Sequence, residues 1–102
     1  MDDRPLSFDY DAARRTLHVS GSVDELSGTQ LREQIAKHSS DYTESLTVDL
    51  GGVDLLPSAG VGVLAVAMRE ADERGVTIGL VAVHDSVVQR VLTICGLPFT
   101  ER

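Results

Sequence analysis

Leu46-Thr47-Val48-Asp49-Leu50, Gly51-Gly52-Val53-Asp54-Leu55-Leu56-Pro57 and Ser58-Ala59-Gly60-Val61-Gly62-Val63-Leu64 follow one another without a break, and a change of period inside this stretch decides the fold. Leu46 to Leu50 alternates apolar and polar residues, which predicts a strand. After Pro57 the period becomes helical: Val61, Leu64, Ala65, Met68 and Ala71 share one side, and Arg69, Glu70, Asp72, Glu73 and Arg74 lie largely opposite. Gly75 stops the helix. Val76 to Val83 is a nearly continuous apolar run rich in valine, the pattern of a parallel strand buried on both faces. Strand, helix and strand in this order form a right-handed crossover unit.

The junction at Pro57-Ser58 carries its own signals. Proline disfavours helix at Leu56, and serine is a preferred N-cap, so Ser58 is expected to cap the helix with its hydroxyl at an exposed corner. Gly60 and Gly62 in the first turn each cost about 1 kcal/mol of helix propensity relative to alanine. Either another surface approaches closely there, or the glycines serve tight helix-to-sheet packing. The local pattern leaves both open.

Working outward, Leu6 to Tyr10 and Thr16 to Ser20 alternate in the same way, with Asp11 to Arg15 as a hairpin connection. Ser27-Gly28-Thr29-Gln30 fits a capping box, predicting a helix with Leu31 and Ile35 on one face that ends near Ser39. Asp85 or Ser86 can cap a third helix carrying Val87, Val88, Val91, Leu92 and Cys95, closed by Gly96. The predicted order is β-β-α-β-α-β-α: a single α/β domain over residues 1–102 whose mixed sheet has an N-terminal antiparallel hairpin, then parallel β-α-β units, with about three helices. With strands side by side in chain order, the first two crossover helices take one face, leaving the other for the third helix or a partner.

A chain of 102 residues holds one hydrophobic core and not two. Its 42% hydrophobic and 25% charged residues are those of a globular rather than a disordered protein. No apolar run is long enough to cross a bilayer, and Met1-Asp2-Asp3-Arg4-Pro5 lacks the layout of a secretion signal, so a cytoplasmic protein without membrane insertion is expected. Cys95 is the single cysteine, which excludes an internal disulfide and any zinc-ligand spacing; its place on an apolar helix face predicts a core residue. A net charge of −7 opposes phosphate backbones and anionic membranes. No nucleic acid, metal, cofactor or small-molecule substrate is expected.

Taken together, the element order, Gly21-Ser22-Val23-Asp24 after the second strand, the Val48-Asp49-Leu50 strand and Pro57-Ser58-Ala59-Gly60-Val61-Gly62-Val63 resemble the STAS domain of bacterial anti-sigma factor antagonists over nearly the whole chain. The family's motif reads Asp-Ser-Ser/Thr-Gly-Leu-Gly; here Pro57 replaces the aspartate and Ala59 the second hydroxyl, while the serine, both glycines and the aliphatic Val61 are kept. The resemblance implies a non-enzymatic regulator of transcription that works by partner switching. Unmodified, it would bind an anti-sigma factor that is also a serine kinase, and release a sigma factor. Phosphorylation of Ser58 would end binding until a phosphatase resets it. The implied partner-binding residues are Asp24, Pro57, Ser58, Ala59, Gly60, Val61 and Gly62. For Asp24 the plain alternative is a turn or helix-start aspartate; Asp49, before Gly51-Gly52, reads as a turn-organising carboxylate.

Pro57 and Ala59 also fit STAS domains that bind a partner constitutively, as the soluble subunit of a lipid-transport ATP-binding cassette system or within a stress-signalling scaffold. A hydrolase is the remote alternative: Leu56-Pro57-Ser58-Ala59-Gly60 half-resembles a nucleophile elbow, with Asp72 and His84 following, but the elbow's first glycine is missing and Asp72 lies among surface charges. The string Gly60 to Ala65 spells G-x-G-x-x-A, yet it begins about ten residues past the predicted strand instead of at its edge. His18 is expected to face solvent and His38 to sit at a helix C-terminus. An apolar strip left exposed on the third helix would mark a second contact surface.

Overall fold

The computed structural model describes residues 5–102; Met1 to Arg4, read above for the absence of a secretion signal, lie outside the described residues. In chain order the elements are β1 (Ser7–Asp11), β2 (Thr16–Ser22), α1 (Glu25–His38), β3 (Leu46–Leu55), α2 (Ser58–Glu73), β4 (Ile78–Ala82), α3 (Val87–Cys95) and β5 (Thr100–Glu101). The five strands pair in that same order. β1 is antiparallel to β2, and β2 through β5 are mutually parallel, so the α/β mixed sheet is as expected.

The fifth strand was not legible in the sequence. Its two residues, Thr100 and Glu101, pair with Val81 and Ala82, and Pro98, which has no N–H to donate, limits any extension toward its N-terminus. β5 also changes the layering, because it turns α3 into a crossover. Parallel neighbours laid down in one direction by right-handed crossovers carry all their helices on one face, so α3 joins α1 and α2 instead of taking the opposite face.

Burial agrees. Leu17, Val19, Val48, Leu50, Ile78, Leu80 and Ala82 point into the core, which also takes Leu31 and Ile35 of α1, Leu64, Ala67 and Ala71 of α2, and Val88 and Leu92 of α3. α2 is thus rotated slightly from the expected face, with Ala67 buried and Ala65 only half-buried. On the opposite face, Asp9, His18, Asp49, Val81 and Thr100 lie in one row of the register. That face is uncovered around Gly79, where an added Cβ would meet nothing within 4 Å.

β3 runs five residues further than expected. Its pairing with β2 slips from His18↔Asp49 to Ser20↔Gly52, a β-bulge that takes up Gly51-Gly52. The alternation of β3 breaks at the bulge, which is why residues 51–55 read as a loop. α1 starts earlier than the Ser27 box suggested: Asp24 is the N-cap and Ser27 the N3 residue, each side chain bonded to the other's backbone N–H at 2.8 and 2.7 Å. Ser86 caps α3, and Gly96 ends it in the left-handed conformation that glycine adopts freely. Cys95 departs from its expected burial. The buried stripe of α3 ends at Leu92, and Cys95 in the last turn is exposed.

Candidate functional site

The carboxyl ends of β2 and β3 lead into the starts of α1 and α2, which brings the two sequence-predicted motifs to one edge of the sheet. Val23 N–H donates to the Leu55 carbonyl at 3.3 Å, tying the β2–α1 turn to the end of β3. Asp24 and Pro57 line a common groove of about 690 Å³ together with Val23, Leu26 and Leu55. The expectation that Asp24 and the Ser58 loop share an edge holds.

The N-cap of α2 is Pro57, in extended backbone, and no side chain caps it. Ser58 is therefore the first helical residue and not the cap. Its hydroxyl is not consumed by the helix terminus, and the side chain is exposed, as are Pro57 and Ala59. The helix starts through backbone bonds instead, with Gly60 and Val61 N–H both donating to the Pro57 carbonyl at 2.9 and 3.1 Å.

The two glycines have different reasons. Gly60 lies on the buried stripe with Leu64, Ala67 and Ala71; an added Cβ would stand 2.8 Å from Leu56 Cδ1 and 3.0 Å from Val23 Cγ1. It lets α2 press against the β2–α1 turn, so the packing explanation wins there, and its plugged surface is closed to the pyrophosphate that the G-x-G-x-x-A string would require. Gly62 is exposed and an added Cβ there would meet nothing within 4 Å. The chain's own packing gives no reason for it. Val61 is half-buried against the core.

Asp24 caps α1, the plain alternative that the sequence offered, and it also borders the groove. The Ser27 backbone N–H, then the Ser27 hydroxyl, hold its carboxyl below the usual carboxylate range, so the groove's rim carries a full negative charge at neutral pH. Two side chains of this edge escaped the sequence. Leu26 is 86% exposed and Leu55 is 55% exposed. Leu26 carried no signal because it precedes the predicted helix; Leu55 lay in the predicted loop.

The remaining candidates stand apart from this edge. Asp49 organises the bulge by accepting from Gly51 N–H at 2.8 Å, and it also binds His18 and Arg102 on the uncovered face. Asp72 and His84 are exposed, and Ser58 and Asp72 stand at opposite ends of α2, about 20 Å apart at the helical rise of 1.5 Å per residue, too far to share a triad. Among the described residues no cluster of His, Cys, Asp or Glu could hold a metal ion, and no helix is long and apolar enough to cross a membrane. On α3, Val87 and Ile94 are exposed, Ile94 at 83%, and neither lines the groove of Asp24 and Pro57.

Known proteins are similar to this chain in sequence and fold. A relative from Mycobacterium tuberculosis, named anti-sigma-F factor antagonist RsfB, is 34% identical over 84% of this chain and 69% of its own length. The crystal structure of an anti-sigma factor antagonist from Mycobacterium paratuberculosis superposes with a TM-score of 0.74 at 22% identity, covering 94% of this chain and 84% of that one. The Bacillus cell fate determinant SpoIIAA in its phosphorylated form has the same fold, with a TM-score of 0.65 at 20% identity over 96% of this chain and 91% of that one. The family described as Mlab, STAS domain matches residues 6–98. With that match running from the start of the first strand to the end of the last crossover, this chain belongs to the STAS domain family.

Proposed function

We propose that this chain is an anti-sigma factor antagonist whose binding face is the edge formed by Asp24 and residues 57–62, and that phosphorylation of Ser58 by the bound anti-sigma factor switches it. The observation that carries this reading is the exposed Ser58 side chain at the first position of α2, on a helix whose N-cap makes no side-chain hydrogen bond. A phosphate there adds about −1.5 to −2 charges at a helix terminus whose dipole favours an anion. The free fold accommodates it. A docked partner does not, because its surface, brought close over Ala59 and the bare Gly62, would have to desolvate a dianion. About 5.5 kcal/mol suffices to turn a 99:1 complex into a 1:99 one, and desolvating a charge inside an interface is of that order. A cytoplasmic location and a resetting phosphatase belong to the same reading.

The test is incubation with the cognate anti-sigma factor and ATP, followed by intact mass and site mapping. One phosphate on Ser58, absent from Ser58→Ala, and loss of binding in Ser58→Asp are expected. Pro57 and Ala59 favour a second reading, a STAS subunit that binds its partner constitutively within a transport or scaffold assembly. That reading gains if no phosphate is added and Ser58→Asp binds as tightly as wild type.

A further inference from the structure

Single exposed leucines are ordinary on protein surfaces, but Leu26 and Leu55 are not scattered. They project from different elements, α1 and β3, onto the same groove, which Val23 and Pro57 floor with further apolar surface. The rim is stiff: the reciprocal Asp24–Ser27 bonds fix the first turn of α1, and the notch at Gly60 fixes α2 against Val23. A site whose walls are already ordered loses little entropy when filled. Asp24 is the one charged side chain among the described residues that line it, and the whole chain carries −7. The complement of such a site is an apolar side chain next to a cation.

We infer that the groove between Leu26 and Leu55 seats an aliphatic or aromatic side chain of the anti-sigma factor, with a lysine or arginine of the same partner against Asp24. The inference rests on the reading of the Ser58 edge as the binding face. It adds to it the place where most of the binding energy is gained: a buried apolar anchor is the kind of contact that dominates interfaces, while the charge pair at the rim acts on rate and salt dependence. Phosphorylation of Ser58 then acts beside the anchor and not on it, through the desolvation cost over Ala59 and Gly62.

The experiment measures Kd for the full chain against the purified anti-sigma factors of its own genome, one at a time, and takes the one that binds wild type as the probe. Leu26→Ala is expected to weaken binding at least about tenfold. Asp24→Asn, which keeps an N-cap, is expected to weaken it severalfold and to flatten its salt dependence. Ile94→Ala, an equally exposed apolar position on α3, is expected to stay within about twofold of wild type. Circular dichroism of each variant should match wild type, since neither leucine nor isoleucine is packed. Leu26→Ala binding within about twofold of wild type overturns the inference; if Ser58→Asp abolishes binding in that case, the face is right and the groove wrong. Loss on Ile94→Ala instead moves the anchor to α3 and also overturns it. Should wild type bind none of the anti-sigma factors, the functional reading fails and the groove proposal with it.

Discussion

Arg102 Nη1 donates to Asp49 Oδ2 at 2.7 Å, reaching from the end of β5 across β4 to β3 on the uncovered face of the sheet. The Asp49 side chain is 6% exposed and also accepts from His18 and from Gly51 N–H, so one carboxylate ties together three strands. Removing it in Asp49→Ala leaves a backbone donor without its partner and is expected to cost about 1–3 kcal/mol of unfolding free energy. Arg102→Ala is expected to cost about 1 kcal/mol or less, because the guanidinium is half in water. A Cβ at Gly51 would collide with the Arg102 guanidinium, so Gly51→Ala should reproduce Arg102→Ala, and the double variant should be no worse than either. Urea unfolding of the four proteins decides; additive losses would show that Gly51 serves something else.

The two glycines of the α2 start separate structure from binding. Gly60→Ala forces a methyl against the stiff Val23 side chain and is expected to destabilise by about 1–3 kcal/mol. Gly62→Ala has open space around it and is expected to stabilise by up to about 1 kcal/mol through helix propensity, while weakening the partner complex. Thermal melts paired with binding titrations test this; a Gly62→Ala variant that binds as wild type would mean that no surface approaches there.

His84 and His38 are expected to titrate in opposite directions. The hydrogen bond from His84 to Glu101, then the charges of Asp85 and Glu101, raise its pKa. Its contribution to stability is therefore complete below the unfolded-state pKa and is lost as pH rises through the folded one. His38, stacked on Tyr10 with centroids 4.0 Å apart, is lowered by burial first and Lys37 second. Its contribution is complete above the unfolded-state pKa and is lost as pH falls toward the folded one. The helix C-terminus favours a protonated His38, but burial outweighs it. NMR titration should find His84 above His38, and Glu101→Gln should bring His84 down without moving His38.

Asp24 separates capping from charge. Asp24→Ala is expected to lower the melting temperature because α1 loses its N-cap, whereas Asp24→Asn, which can still accept from Ser27 N–H, should largely keep it. With its pKa lowered by Ser27, the wild-type carboxylate contributes stability that is present above the unfolded pKa and lost as pH falls through the folded one. The Asn variant should show none of that acid dependence in a pH series of melts, and an unchanged slope would assign it elsewhere.

Local pattern alone determined the element types, their order and the strand-to-helix corner that carries Ser58, because hydrophobic period, caps and breakers act over a few residues and leave their mark on the chain itself. Tertiary structure decided the rest. β5 exists only because Val81 and Ala82 offer it a partner, Gly51-Gly52 continues a strand only because β2 pairs across the bulge, and Gly60 is required only because Val23 arrives from another element. The same holds for the groove: Leu26 and Leu55 are ordinary leucines 29 positions apart by their numbering, and their shared exposure beside Ser58 follows from chain crossing, which no window of neighbouring residues encodes.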